Sequence, residues 1–118
     1  MKIRIKGNSL RYRLTKSDVY RLSQEGYLED KTEFGGRELV YVIQKTNGKD
    51  LSAFFNDNVI CLQIPGKMIN ELHDTDKIGF EGKEGNLQLL VEKDFTCLDN
   101  VDEDQGDNYP NPLADKSE

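Results

Sequence analysis

The sequence predicts a mainly β (α+β) fold over residues 1–95: a duplicated β-β-α-β-β unit whose strands close into a barrel carrying two short helices. Three observations carry that expectation. Apolar and polar residues alternate over much of this stretch, which is the period of a half-buried strand. Turn residues separate these runs in pairs, as hairpins require. The order of runs also recurs at an offset of 50 residues.

The elements follow in chain order. Ile3 and Ile5 lie between Lys2, Arg4 and Lys6, a first strand. The tripeptide "GNS" is a turn. Leu10, Tyr12 and Leu14 then alternate with Arg11 and Arg13, completing a hairpin with Tyr12 on the core side. Thr15 or Ser17 can cap a helix, and Asp18 places negative charge in its first turn. Val19 and Leu22 form one apolar stripe, and Gly26 ends the helix. "YLEDKTEF" is a weak strand, Gly35–Gly36 a turn, and "ELVYVIQK" a strong strand of β-branched and aromatic residues. After "TNGKD" the order repeats. "LSAFFN" and "VICLQIP" flank a turn at "DN", "GKMINELHDTD" is a short helix entered through Pro65 and Gly66, and "KIGFEGK" and "LQLLVEKDF" form a last hairpin.

The copies run over about 1–48 and 51–95. Ile5 falls on Phe55, Leu10 on Ile60, Leu14 on Ile64, Val19 on Ile69 and Leu22 on Leu72. With a two-residue deletion in the second copy, Leu39 falls on Leu87 and Lys45 on Lys93. One such unit is too small to bury its own strands. Two copies facing each other share a core, and a closed sheet leaves no edge open to aggregation.

The formal net charge is -6, unevenly spread: +4 over residues 1–50, -4 over 51–95 and -6 over 96–118. The last segment is acidic and poor in apolar residues, so it is expected to be a flexible tail. Tyr109, Pro110, Pro112 and Leu113 form a small apolar hook within it, which packs back on the barrel or anchors on a partner protein. No run of 18 apolar residues exists, so no membrane span is expected. "MKIRIKGN" lacks the apolar core of a signal peptide, and the two cysteines are too few for a disulfide scaffold, so a cytoplasmic location is expected.

No catalytic constellation emerges. His73, the sole histidine, sits near a helix end beside Asp74. Cys61 is out of phase with Ile60 and Leu62 and is expected on the outer face; Cys97 follows the last strand, and neither belongs to a metal-ligand spacing. Glu33, Glu81 and Glu92 are not clustered, the acids at 102–104 do not match a calcium loop, and the glycines at 35–36 and 82–85 mark hairpin turns. The expectation is a protein without enzymatic activity, cofactor or metal.

The "GNS" turn inside a β-β-α-β-β unit resembles the swapped-hairpin DNA-binding domain of the AbrB and MazE type. "KGNSLRYRLTKSDVYRL" matches the first part of that pattern, the turn, the Arg-bearing strand and the helix ending in Leu. "LQIPGKMINELHDTDKIGFEGKEGNLQLLVEKD" matches the later part, including the helix-entry Pro65 and the E-G turn. The resemblance spans about residues 1–95. In the family two chains exchange hairpins to build one dimeric barrel, so two copies in one chain imply a single-chain pseudo-dimer, either monomeric or weakly homodimeric. The resemblance implies binding of duplex DNA through Lys2, Arg4, Lys6, Asn8, Ser9, Arg11 and Arg13. The second copy departs from this: Ser52, Phe54, Asn56, Asn58, Cys61 and Gln63 hold the matching places without a Lys or Arg. The MazE type also implies a protein partner for the acidic tail. The whole chain resembles, too, a group of small bacterial proteins without assigned function that end in an "EKDF…YPNPLA"-like segment.

The leading expectation is thus a regulatory binding protein acting on DNA through its basic first hairpin. The alternative is a protein-interaction module working through its tail. A third reading makes the basic residues line a polar barrel that holds a small anion.

Overall fold

The structure is a computed structural model, and it describes residues 1–95 and 107–110. Ten elements follow one another: β1 (Lys2–Lys6), β2 (Ser9–Leu14), α1 (Lys16–Glu25), β3 (Tyr27–Phe34), β4 (Arg37–Thr46), β5 (Ser52–Asn56), β6 (Val59–Pro65), α2 (Gly66–Asp74), β7 (Gly79–Glu84) and β8 (Leu87–Lys93). Local chemistry explains their boundaries. Thr15 caps α1 in a reciprocal box with Asp18: Thr15 Oγ1 accepts from the Asp18 amide, and the Asp18 carboxylate accepts from the Thr15 amide. Gly26 ends α1 at φ 71°, a left-handed geometry that costs glycine little, and its amide donates to the Leu22 carbonyl. At the β5–β6 turn Asp57 and Asn58 take positive φ themselves (48° and 66°), which short polar side chains tolerate.

The expected barrel does not close. The strands form two four-stranded mixed sheets, ordered β1-β2-β8-β7 and β3-β4-β6-β5, with parallel contacts β2·β8 and β4·β6. Their edges have a physical reason to stay apart. β1 carries Lys2, Arg4 and Lys6, and β3 carries Glu29, Asp30, Lys31 and Glu33, and charge on an edge strand resists further pairing. Where β5 approaches β7 the gap is bridged by a side chain: the Ala53 amide donates to Glu84 Oε1 at 3.2 Å.

Each sheet takes one hairpin from each half of the chain, β1–β2 with β7–β8 and β5–β6 with β3–β4. The ladders obey the sequence offset. Ser9 faces Gln88 and Leu14 faces Lys93 in one sheet; Val59 faces Val40 and Ile64 faces Lys45 in the other. Residues 50 apart in β2 and β6 therefore meet residues 48 apart in β8 and β4.

The core lies between the sheets. Leu10, Tyr12 and Leu14 from β2 meet Ile43, Leu62, Ile64, Leu89 and Val91, and Val19, Leu22, Ile69 and Leu72 of the two helices close one end. Tyr12 is fully buried and its hydroxyl donates to the Ile60 carbonyl at 3.2 Å, tying one sheet to the other. Burial pushes its phenol pKa far above the usual range. The interior is thus filled by apolar side chains, and the polar barrel required by the third reading is not formed.

Candidate nucleic-acid interface

Period two decides where the basic residues point. With Leu10, Tyr12 and Leu14 committed to the core, Arg11 and Arg13 must face out, together with Lys2, Arg4 and Lys6 of the neighbouring strand. The ladders arrange this outer face in rows. Lys2 lies opposite Arg13, which neighbours Glu92; Arg4 lies opposite Arg11, then Leu90 and Glu81; Lys6 lies opposite Ser9, then Gln88 and Lys83. Like charges are therefore placed side by side on β1 and β2. That destabilises the hairpin unless counter-charge is supplied.

Part of that counter-charge is internal. Glu92 Oε1 receives both Arg11 Nε at 3.3 Å and Arg13 Nε at 3.5 Å. Lys2 Nζ lies 3.2 Å from Oδ2 of the buried Asp94, an oxygen with no hydrogen bond of its own, so Lys2 offsets a buried charge. Arg4 and Lys6 form no ion pair among the described residues. Together with Ser9 and Arg11 they line a shallow depression of about 140 Å³. Asn8 serves the fold, since its Nδ2 donates to the Asn86 carbonyl at 2.7 Å and links the two hairpin turns of the sheet.

The matching face of the other sheet is different in kind. Phe54 is half exposed, while Val42 and Cys61 are buried although they point away from the main core. Cys61 lies on the outer face, as its phase predicts, and its ladder neighbours Phe54 and Val42 cover it there. Burial pushes its thiol pKa up, which disfavours the reactive thiolate. His73 Nδ1–H donates to Oδ1 of Asp74 beside it at 2.7 Å on the surface. Among the described residues no three of His, Cys, Asp and Glu converge as a metal site, and no helix is long and apolar enough to cross a membrane.

The tail hook is divided. Pro112 and Leu113 lie outside the described residues. Tyr109 and Pro110 lie inside them, and Tyr109 is seated on the chain's own body, bridging to Phe95 and donating its amide to the Asp94 carbonyl at 2.9 Å. Its ring stacks edge-on against Phe95 and lies 4.8 Å from Lys93 Nζ. Sequence reasoning missed the role of Glu92 as the shared partner of two arginines, which depends on the β2·β8 register. It also missed a cleft lined by Lys45, Lys49 and Lys67, although the match of Lys45 with Lys93 was visible.

No curated protein and no solved structure matches this chain. A family of unknown function, DUF7009, matches residues 1–113, and the chain belongs to that family.

Proposed function

We propose that this chain is a non-enzymatic binding protein that holds the phosphate backbone of duplex DNA against the outer face of β1 and β2. The observation that carries this reading is the adjacent outward placement of Lys2, Arg4, Lys6, Arg11 and Arg13, with Arg4 and Lys6 in no ion pair among the described residues. Uncompensated like charges side by side favour a polyanion, and phosphate contacts supply affinity without reading sequence. In the same proposal the two halves are an internal duplication arranged as an AbrB/MazE-type swapped-hairpin pseudo-dimer. The exchange of hairpins between sheets and the matched registers support it. Only one of the two matched hairpins is basic, so the protein makes one contact patch and gains nothing from a palindrome.

The test is fluorescence anisotropy with a labelled 20-base-pair duplex at low salt. The wild-type chain binds, the Arg4→Ala/Lys6→Ala variant binds at least about 10-fold more weakly, and a palindromic and a scrambled duplex bind alike. Absence of binding by the wild-type chain at low salt overturns the proposal.

A further inference from the structure

The two helices begin at matched places, directly after β2 and β6, yet their first turns are satisfied differently. In α1 every early amide has an acceptor. Lys16 N donates to the Asp107 carbonyl at 3.1 Å, Ser17 N to Asp107 Oδ1 at 3.3 Å, and Asp18 N to Thr15 Oγ1 at 3.2 Å. The tail segment thus inserts a carboxylate at the positive end of α1 and lays Tyr109 between Lys93 and Phe95. In α2 the cap is Pro65, which offers no side-chain acceptor, and the first turn holds no acid. Instead a cleft of about 670 Å³ opens there, with Lys45, Lys49 and Lys67 on its walls and Met68, Glu71 and Phe80 beside them. Lysines at a helix N-terminus oppose its dipole, so this arrangement is costly while empty and favourable around an anion.

The ladder registers make the two places equivalent. Lys45 stands opposite Ile64 as Lys93 stands opposite Leu14. Gly66 and Lys67 take the places of Lys16 and Ser17, and Thr46 and Asn47 those of Asp94 and Phe95. Each tail-contacting position around α1 therefore has its counterpart in the wall of the α2 cleft. The Lys45 side chain crosses the helix entry at Gly66, where a Cβ would come within 2.8 Å of its flexible Cε end.

We propose that the cleft at the start of α2 docks an acidic peptide of a partner protein, in the manner of the chain's own Asp107–Tyr109 at the start of α1. An Asp or Glu carboxylate accepts from the first-turn amides of α2 and faces the three lysines. An aromatic side chain two residues later lies against Lys45. The site is on the helix end of the molecule and is independent of the basic β1–β2 face.

The experiment is a ¹⁵N–¹H titration of the full chain with the peptide Gly-Asp-Asn-Tyr-Pro, with its neutral Asp→Asn analogue, and with inorganic phosphate. The expected result is saturable shifts of the Lys67, Met68, Gly48 and Lys45 amides with the acidic peptide, and binding at least about 10-fold weaker for the neutral analogue. The variant Lys67→Glu abolishes the shifts while its spectrum stays dispersed, and Lys49→Glu, in the exposed loop, weakens them without touching the helix. The proposal is overturned if the shifts are confined to Lys16 and Ser17, if the neutral analogue binds equally, or if phosphate gives the same shifts at the same midpoint, which would make the cleft a simple oxyanion site.

Discussion

Glu92 is the residue on which the strength of the basic face turns. It neutralises Arg11 and Arg13 at once, so Glu92→Gln releases both guanidinium groups to an external anion. The pairs are partly exposed and individually weak, so duplex DNA affinity rises by about 2- to 5-fold, read by anisotropy at fixed salt. Asp107 governs the tail in a comparable way. Hydrogen bonding to Ser17 holds its carboxyl below the usual carboxylate range. A depressed value in the docked state means docking is stabilised above the pKa of the undocked carboxyl and loses that stabilisation as pH falls through the lowered value. Protection of the Lys16 and Ser17 amides, measured against the intrinsic exchange rate at each pH, therefore falls on acidification, and Asp107→Asn shows the lowered protection already at neutral pH. Unchanged protection in that variant contradicts the assignment.

At the scale of elements, β7 is held against β8 by the absence of a side chain. A Cβ on Gly79 would lie 2.4 Å from the Val91 carbonyl oxygen and 2.9 Å from Glu92 Cα, both backbone atoms with no freedom to yield. Gly79→Ala destabilises the fold by about 1–3 kcal/mol, measured by urea unfolding. The elements themselves were legible. Period two placed β1 and β2, β-branched and aromatic content placed β4, turn residues set off the other strands, Gly26 and a cap at Thr15 or Ser17 bracketed α1, and the core residues Leu10, Tyr12, Leu14, Val19 and Leu22 followed from phase. Edge pairing was not legible. Closure depends on contacts between distant strands and on charges such as those of β3, whose effect appears only when a neighbour is available. Cys61 escaped for a related reason: alternation gives the side a residue points to, not what its ladder neighbours cover.

At the scale of the molecule, the ladders β2·β8 and β4·β6 have matched registers, and the surfaces around them differ between the two sheets. One matched hairpin is basic and the other carries no Lys or Arg; one helix start is occupied by the tail and the other is an open lysine-lined cleft. Phase grouped Lys2, Arg4, Lys6, Arg11 and Arg13 on one face from sequence but left its direction open; the apolar core on the opposite face is what turns it outward. The cleft was not legible, because it brings together the β4–β5 loop and the α2 entry through the β4·β6 pairing. The two sheets are joined across the core by the Tyr12 hydroxyl on the Ile60 carbonyl, and Tyr12→Phe lowers stability by about 0.5–1.5 kcal/mol in urea unfolding while leaving DNA binding intact, since Tyr12 faces away from the basic surface. The most direct test of the central claim is the salt dependence of duplex DNA binding by the wild-type chain and by Arg4→Ala/Lys6→Ala. Each phosphate contact contributes about 0.9 to the slope of log affinity against log salt, so the account predicts a wild-type slope steeper than the variant's by about 1.8. Equal slopes, or wild-type binding insensitive to salt, would contradict it.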